Sequence, residues 1–159
     1  MDFRVMVISI FREHVIFMNL NFLKYHPESN TYIIRKQAFF EDDVNINGNL
    51  ITGIGVNFWK DLDVNGSLKL GKGSVIRGNV RAEDVLIGPY SKIDGNLEIK
   101  NTVKILDGAV VKSVICSGEM SVRPGCRLGF VKAEKTLELI GNVDVKEIER
   151  GTRVIVRPE

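Results

Sequence analysis

The sequence predicts an all-β chain, a single-stranded parallel β-helix (β-solenoid) of triangular coils of 17–18 residues. Three observations carry the prediction. First, the chain repeats. Leu70-Gly71-Lys72-Gly73-Ser74-Val75-Ile76 aligns with Ile87-Gly88-Pro89-Tyr90-Ser91-Lys92-Ile93 at a shift of 17. Ile105 to Val111 follows at 18 and Val122 to Leu128 at 17. Upstream, Val44 to Leu50 matches Leu62 to Leu68 at 18. Second, a period of six lies inside the larger one: Ile87, Ile93, Ile99, Ile105 and Val111 recur at every sixth position. Third, all 15 glycines fall between Gly48 and Gly151, at intervals that would break helices throughout.

Three sixes make one eighteen, so each coil reads as three short strands with an aliphatic residue pointing to the axis at each step. Leu70, Ile76 and Ala82 form an earlier run of the same kind. Gly, Asn and Asp fall near the corners, where a positive φ is needed. Alternation with period two, as in Asn96-Leu97-Glu98-Ile99-Lys100 and Asn142-Val143-Asp144-Val145-Lys146, favours strand over helix. Residues 41–159 form the β-helix domain. It holds about six or seven coils, a rod roughly 30 Å long at the spacing of hydrogen-bonded strands.

Residues 1–40 differ from this body. They contain no glycine and carry five basic and three acidic groups, whereas the body holds seventeen of each. Val5 to Phe11 and Val15 to Met18 are apolar, but the run is short and interrupted by Arg12-Glu13-His14. It falls below the length of a membrane-spanning helix and lacks a signal-peptide cleavage site. Three readings stand side by side. The segment touches a membrane through Phe3, Ile8, Phe11, Phe17 and Phe22, with Arg4, Arg12 and Lys24 beside them. Or it adds strands to the first coil. Or the natural start is Met18. Tyr25 to Asn30 reads as a turn, and Thr31 to Arg35 as the strand leading into the solenoid.

Composition narrows the function. At 159 residues, 44% hydrophobic and 26% charged, the chain is one soluble globular domain. A net charge of +2 gives no electrostatic reason to expect nucleic acid. Cys116 and Cys126 lack metal-site spacing, occupy different offsets of the repeat, and read as reduced thiols of a cytoplasmic protein. The period is similar to that of hexapeptide-repeat acyltransferases, which use a His base between coils, and invites comparison with carbonic anhydrases holding zinc on three His. Both His here, His14 and His26, lie in the leader. Asp42-Asp43, Asp61 with Asp63, and Glu83-Asp84 are candidate carboxylate pairs, more simply read as solvated outward positions. Gly71-Lys72-Gly73-Ser74 lacks the full phosphate-loop pattern and recurs at a repeat corner without the Lys. No catalytic residue, cofactor, metal or small-molecule substrate is assigned.

The corners Gly48-Asn49-Leu50, Gly78-Asn79-Val80 and Gly95-Asn96-Leu97, with the stretch from Leu70 to Glu83, carry a resemblance over about residues 41–146. In these the chain resembles the bactofilins, a family of polymer-forming cytoskeletal proteins. The resemblance implies a right-handed β-helix that assembles end to end into filaments without nucleotide. It also implies an N-terminal membrane-targeting peptide in many members and a Phe near the last coils at the end contact. Phe130 is the candidate for that role, with ordinary core filling as the alternative. The chain departs from the family in its longer apolar leader and in Asn57-Phe58-Trp59-Lys60, read as an aromatic insertion between coils.

Physics points the same way. A parallel solenoid ends in two open coils with unpaired backbone groups and exposed core side chains. At the C-terminal end these are Ile148, Val154 and Val156; near the N-terminal end stand Phe39, Phe40, Phe58 and Trp59. The expected function is a self-assembling structural protein, a homopolymer in the cytoplasm or at the inner face of the cell membrane. The competing readings are a small β-helix enzyme of the acyltransferase type and a monomeric adaptor binding at its open edge.

Overall fold

A computed structural model describes residues 4–5, 8–11, 14–15 and 23–159, the first three stretches by their strand backbone alone. The chain is all-β, with parallel strands wound into a solenoid of about 7 turns. Each coil passes through three walls. In the first coil these strands are Thr31–Ile34, Phe39–Phe40 and Val44–Ile46. In the second they are Asn49–Thr52, Asn57–Phe58 and Leu62–Val64. We call the wall containing Phe39–Phe40 the first face, that of Val44–Ile46 the second, and that of Thr31–Ile34 the third. Every strand pairs in parallel with its counterpart one coil on. From Lys92–Ile99 onward the first and second faces run as one strand, with a register shift between Ile93 and Asn96.

Register turns the sequence repeat into ladders of side chains. Phe40, Phe58, Ile76, Ile93, Val111, Leu128 and Val145 stack in one interior column. Val44, Leu62, Val80, Leu97, Val114, Val131 and Ile148 stack in another. The predicted six-step series holds: Ile87, Ile93, Ile99, Ile105 and Val111 are each 4% exposed or less. Burying a side chain of this size contributes about 1.5–3 kcal/mol. The stack therefore rests on the repeat itself.

The expected insertion at Asn57-Phe58-Trp59-Lys60 is a correction. Asn57–Phe58 lies in register between Phe39–Phe40 and Val75–Ile76, so it is the coil's own first-face strand. Phe58 points inward and stacks on Phe40, ring centroids 5.0 Å apart. An aromatic step at the usual aliphatic position disguised the repeat.

Corners are held by side chains as well as by turns. Asp43 Oδ1 accepts the Asp61 N–H (3.0 Å), Asp61 Oδ1 the Asn79 N–H (2.7 Å), and Asn79 Oδ1 the Asn96 N–H (2.9 Å). This Asx ladder supplies acceptors where the backbone turns away from its neighbour. At Gly95 a Cβ would collide with the backbone of Gly78, one coil below, so no larger residue fits without a shift. A different corner runs in the left-handed region at Gly55, Gly73, Gly108 and Gly125, and Tyr90 adopts the same conformation at φ 57°.

The N-terminal residues close the first coil. Leu23–His26 pairs antiparallel with Thr31–Ile34 across a 3-10 turn at Pro27–Ser29. Arg4–Val5 pairs in parallel with Phe39–Phe40, and Ile8–Phe11 with Val44–Ile46. His14–Val15 then pairs antiparallel with Ile8–Phe11. Of the three readings of the leader, added strands on the first coil is the one these pairings match. Phe3, Phe17, Met18 and Phe22 lie outside the described residues, and Ile8 and Phe11 are described by backbone only. Among the described residues no helix is long and apolar enough to cross a membrane.

Candidate assembly surface

The last coil is where the ladders run out. Its strands are Asp144–Ile148 and Val154–Arg157, and each forms the terminal rung of its sheet. Along one interior column Leu137 is 0% exposed, while Val154, the next rung, is 40% exposed. In the neighbouring column Val122 is 0% exposed and Val156, two rungs on, is 72% exposed. Val145 and Ile148 are only half-buried, although the residues they stack upon, Leu128 and Val131, are buried. Among the described residues nothing packs over this end. The inward pattern simply continues into solvent, with the outer backbone edge unpaired. Charges of both signs ring it: Arg150, Arg153 and Arg157 beside Glu147 and Glu149, with Arg157 Nε 2.7 Å from Glu138 Oε2.

The eight side chains expected at a polymer contact fall in different places. Ile148, Val154 and Val156 share the bare last coil. Phe130 sits in Arg127–Ala133, one rung short of the end, in register with Glu147. It is half-buried in the wall and is not part of the core cluster, so core filling does not describe it. Phe40 and Phe58 are interior, 1% and 0% exposed, and fill the first coils. Phe39 and Trp59 lie outside on the first face, rings stacked at 5.6 Å. The sequence did not single out Val145, whose equivalence to the buried Leu128 the 17-residue shift could have revealed.

Several of the groups that invited catalytic readings have structural work. Asp43 and Asp61 belong to the Asx ladder, and Asp42 pairs with Lys60 at 3.6 Å. Asp84 Oδ1 accepts both the N–H and the hydroxyl of Thr102 (3.1 and 2.7 Å). In the phosphate-loop lookalike, Ser74 turns inward and its hydroxyl oxygen accepts the Val56 N–H at 3.2 Å. His26 lies in the N-terminal hairpin with Nδ1 3.1 Å from Ser29 Oγ. Cys116 and Cys126 are both buried and unpaired, on different columns, and burial pushes both thiols up from their ordinary value. A buried thiol of this kind is a poor nucleophile.

Comparison with curated proteins finds no match, and comparison with solved structures finds none. A family model, described as bactofilin, polymer-forming cytoskeletal, matches residues 30–132. The match begins at the first parallel coil, covers most of the solenoid, and fits the unadorned stack of rungs described above. The chain belongs to the bactofilin family of cytoskeletal proteins.

Proposed function

We propose that this protein is a structural filament subunit that joins other copies end to end through its bare last coil, without nucleotide. The observation that carries the reading is the exposure of Val154 and Val156 at positions whose counterparts one or two coils below are fully buried. A second copy stacked there would pair the free backbone edge and bury Val145, Ile148, Val154 and Val156. Each newly covered side chain of this size would contribute about 1.5–3 kcal/mol before the cost of association. The body's equal numbers of acids and bases favour self-association further, since identical units repel little. Asp43, Asp61 and Asp84 are engaged in the corners and Ser74 in the interior, which supports a structural rather than an enzymatic role. We further propose that the N-terminal segment, besides extending the first coil through Arg4–Val5 and Ile8–Phe11, brings the polymer to the inner face of the cell membrane through Phe3, Ile8, Phe11, Phe17 and Phe22.

The test is high-speed sedimentation and negative-stain microscopy of the full chain, purified without ATP or GTP. Filaments are expected. A strictly monomeric state at high concentration would overturn the polymer reading and make the bare coil a seat for a different partner.

A further inference from the structure

We propose that the N-terminal segment is a displaceable cap: Arg4–Val5 and Ile8–Phe11 hold the edge of the first coil that a second copy would otherwise pair with, and so restrain growth of the polymer at that end. The inference rests on the end-to-end reading above and adds the fate of the opposite extremity. Phe40, Val44 and Ile46 stand on the outermost rung of the body and are 1%, 1% and 2% exposed. Val145 and Ile148, the last members of the columns that begin at Phe40 and Val44, are half-buried. The first coil is covered where the last is bare. Its cover on these two faces is a rung of the body's own kind, since both leader strands run parallel to the strands they meet, as a further coil would. Val5 and Ile8 are in register with Phe40 and Val44 and stand three positions apart. Val111 with Val114, Leu128 with Val131, and Val145 with Ile148 show the same step. The leader thus takes the place of a rung from another copy, and the two cannot pair with the first coil together.

The cap is fastened unevenly. On the third face Leu23–His26 pairs along its whole length, Leu23 is buried, and Tyr25 donates its hydroxyl to Asn30 Oδ1 at 2.9 Å while stacking on Tyr32. On the other two faces the rung is held by the pairs of Arg4 and Val5 and those of Ile8, Ser9 and Ile10. The Asx ladder that ties coil to coil at the corner starts at Asp43 and continues through Asp61 and Asn79. Residues 4–11 contain no Asn or Asp and bring no member to it. The hairpin is therefore the fixed part of the cap, and the two leader strands are the part that leaves. A copy adds at this edge only in the fraction of molecules whose leader is displaced, so its apparent affinity falls by that fraction. Two last coils joined to each other close at two copies, and a last coil joined to a first coil needs the edge that the leader holds. Either way the leader sets the concentration at which copies pass into filaments.

The test pins the leader in the full-length protein. Ser9 and Asn45 are register partners, and neighbouring strands lie about 4.8 Å apart, within disulfide reach. Ser9→Cys/Asn45→Cys is oxidised or kept reduced, and its sedimentable fraction is measured against concentration, with non-reducing electrophoresis to identify the bond. Cys116 and Cys126 are buried, and wild type taken through the same oxidation controls for them. The expected result is an intrachain disulfide that raises the polymerisation threshold by about tenfold or more, as the competent fraction shrinks, and that dithiothreitol reverses. Ile8→Asp, which sets a carboxylate in register with buried Val44, should lower the threshold by about tenfold, the worth of one buried aliphatic side chain. Circular dichroism checks that both variants keep the strand content of wild type. Equal thresholds for oxidised and reduced protein would overturn the cap and leave end-to-end assembly standing. Disulfides formed only between copies, or none, would overturn the seat of the leader on its own first coil, and the cap with it. Wild-type, reduced and Ile8→Asp proteins that all stay monomeric would overturn the end-to-end reading on which the cap rests.

Discussion

The two ends of the rod are built differently. At the N-terminal end the third face is closed by Leu23–His26 running antiparallel, with Tyr25 packed on Tyr32 at 4.5 Å between centroids. The other two faces take up Arg4–Val5 and Ile8–Phe11. At the C-terminal end the parallel pattern continues to Arg157 with nothing described above it. A parallel stack has no internal reason to stop, because each rung offers the next the same edge and the same apolar columns. Reversed strands, Leu23–His26 on the third face and His14–Val15 on the second, end the pattern at one extremity. Among the described residues none does so at the other.

The comparison breaks most sharply within a single column. Leu97 and Ile148 occupy equivalent positions, one in mid-rod and one on the last rung. Leu97→Asp buries an unpaired carboxylate and should cost more than about 4 kcal/mol, leaving little folded protein by circular dichroism. Ile148→Asp should shift the thermal midpoint by only a few degrees and yet remove sedimentable polymer. Next in size, Gly95→Ala forces a Cβ into the Gly78 backbone and should lose about 2–4 kcal/mol in urea unfolding. Gly73→Ala faces open space and has only its left-handed φ to overcome, about 1–2 kcal/mol. Smaller again, Asp61→Ala removes the acceptor of the Asn79 N–H and should cost about 1 kcal/mol. Asp144→Ala, on the exposed last coil, should stay within about 0.5 kcal/mol by the same assay.

The smallest effect is on pH dependence. Burial raises both thiols above 9.0 in the folded state, so folding disfavours the thiolate. Stability from this source is complete below pH 9.0, the unfolded value, and declines as the pH rises beyond it. A Cys116→Ala/Cys126→Ala variant should lose that decline in urea midpoints measured between pH 8 and 10.5.

Much of the fold was legible because a solenoid writes its geometry directly into spacing. Ile87 to Val111 at six-residue steps named the interior, and the shift of 17 or 18 named the partner strands. What escaped was local. Phe58 hid a rung because it and Phe40 put aromatics where the rest of their column carries aliphatics. The fusion of two walls in Lys92–Ile99 escaped notice because the change that goes with it, a spacing of 18 to the next coil up to Ile93 and of 17 from Asn96 on, stays within the range of the repeat itself. At the assembly surface, Ile148, Val154 and Val156 were readable as the final aliphatics of their columns. Phe40 and Phe58 were not separable from Phe39 and Trp59 by type alone. Inward and outward positions alternate, and a misread rung inverts the assignment.

Hydrogen exchange of the assembled protein against the dilute monomer tests the central claim most directly. Outward amides of Asp144–Ile148 and Val154–Arg157 lie on the free edge. If subunits stack on the last coil, exchange at these amides should slow strongly in the polymer while the mid-rod strands stay unchanged. Polymers in which these edges exchange as fast as in the monomer, with protection gained elsewhere, would contradict end-to-end assembly through the last coil.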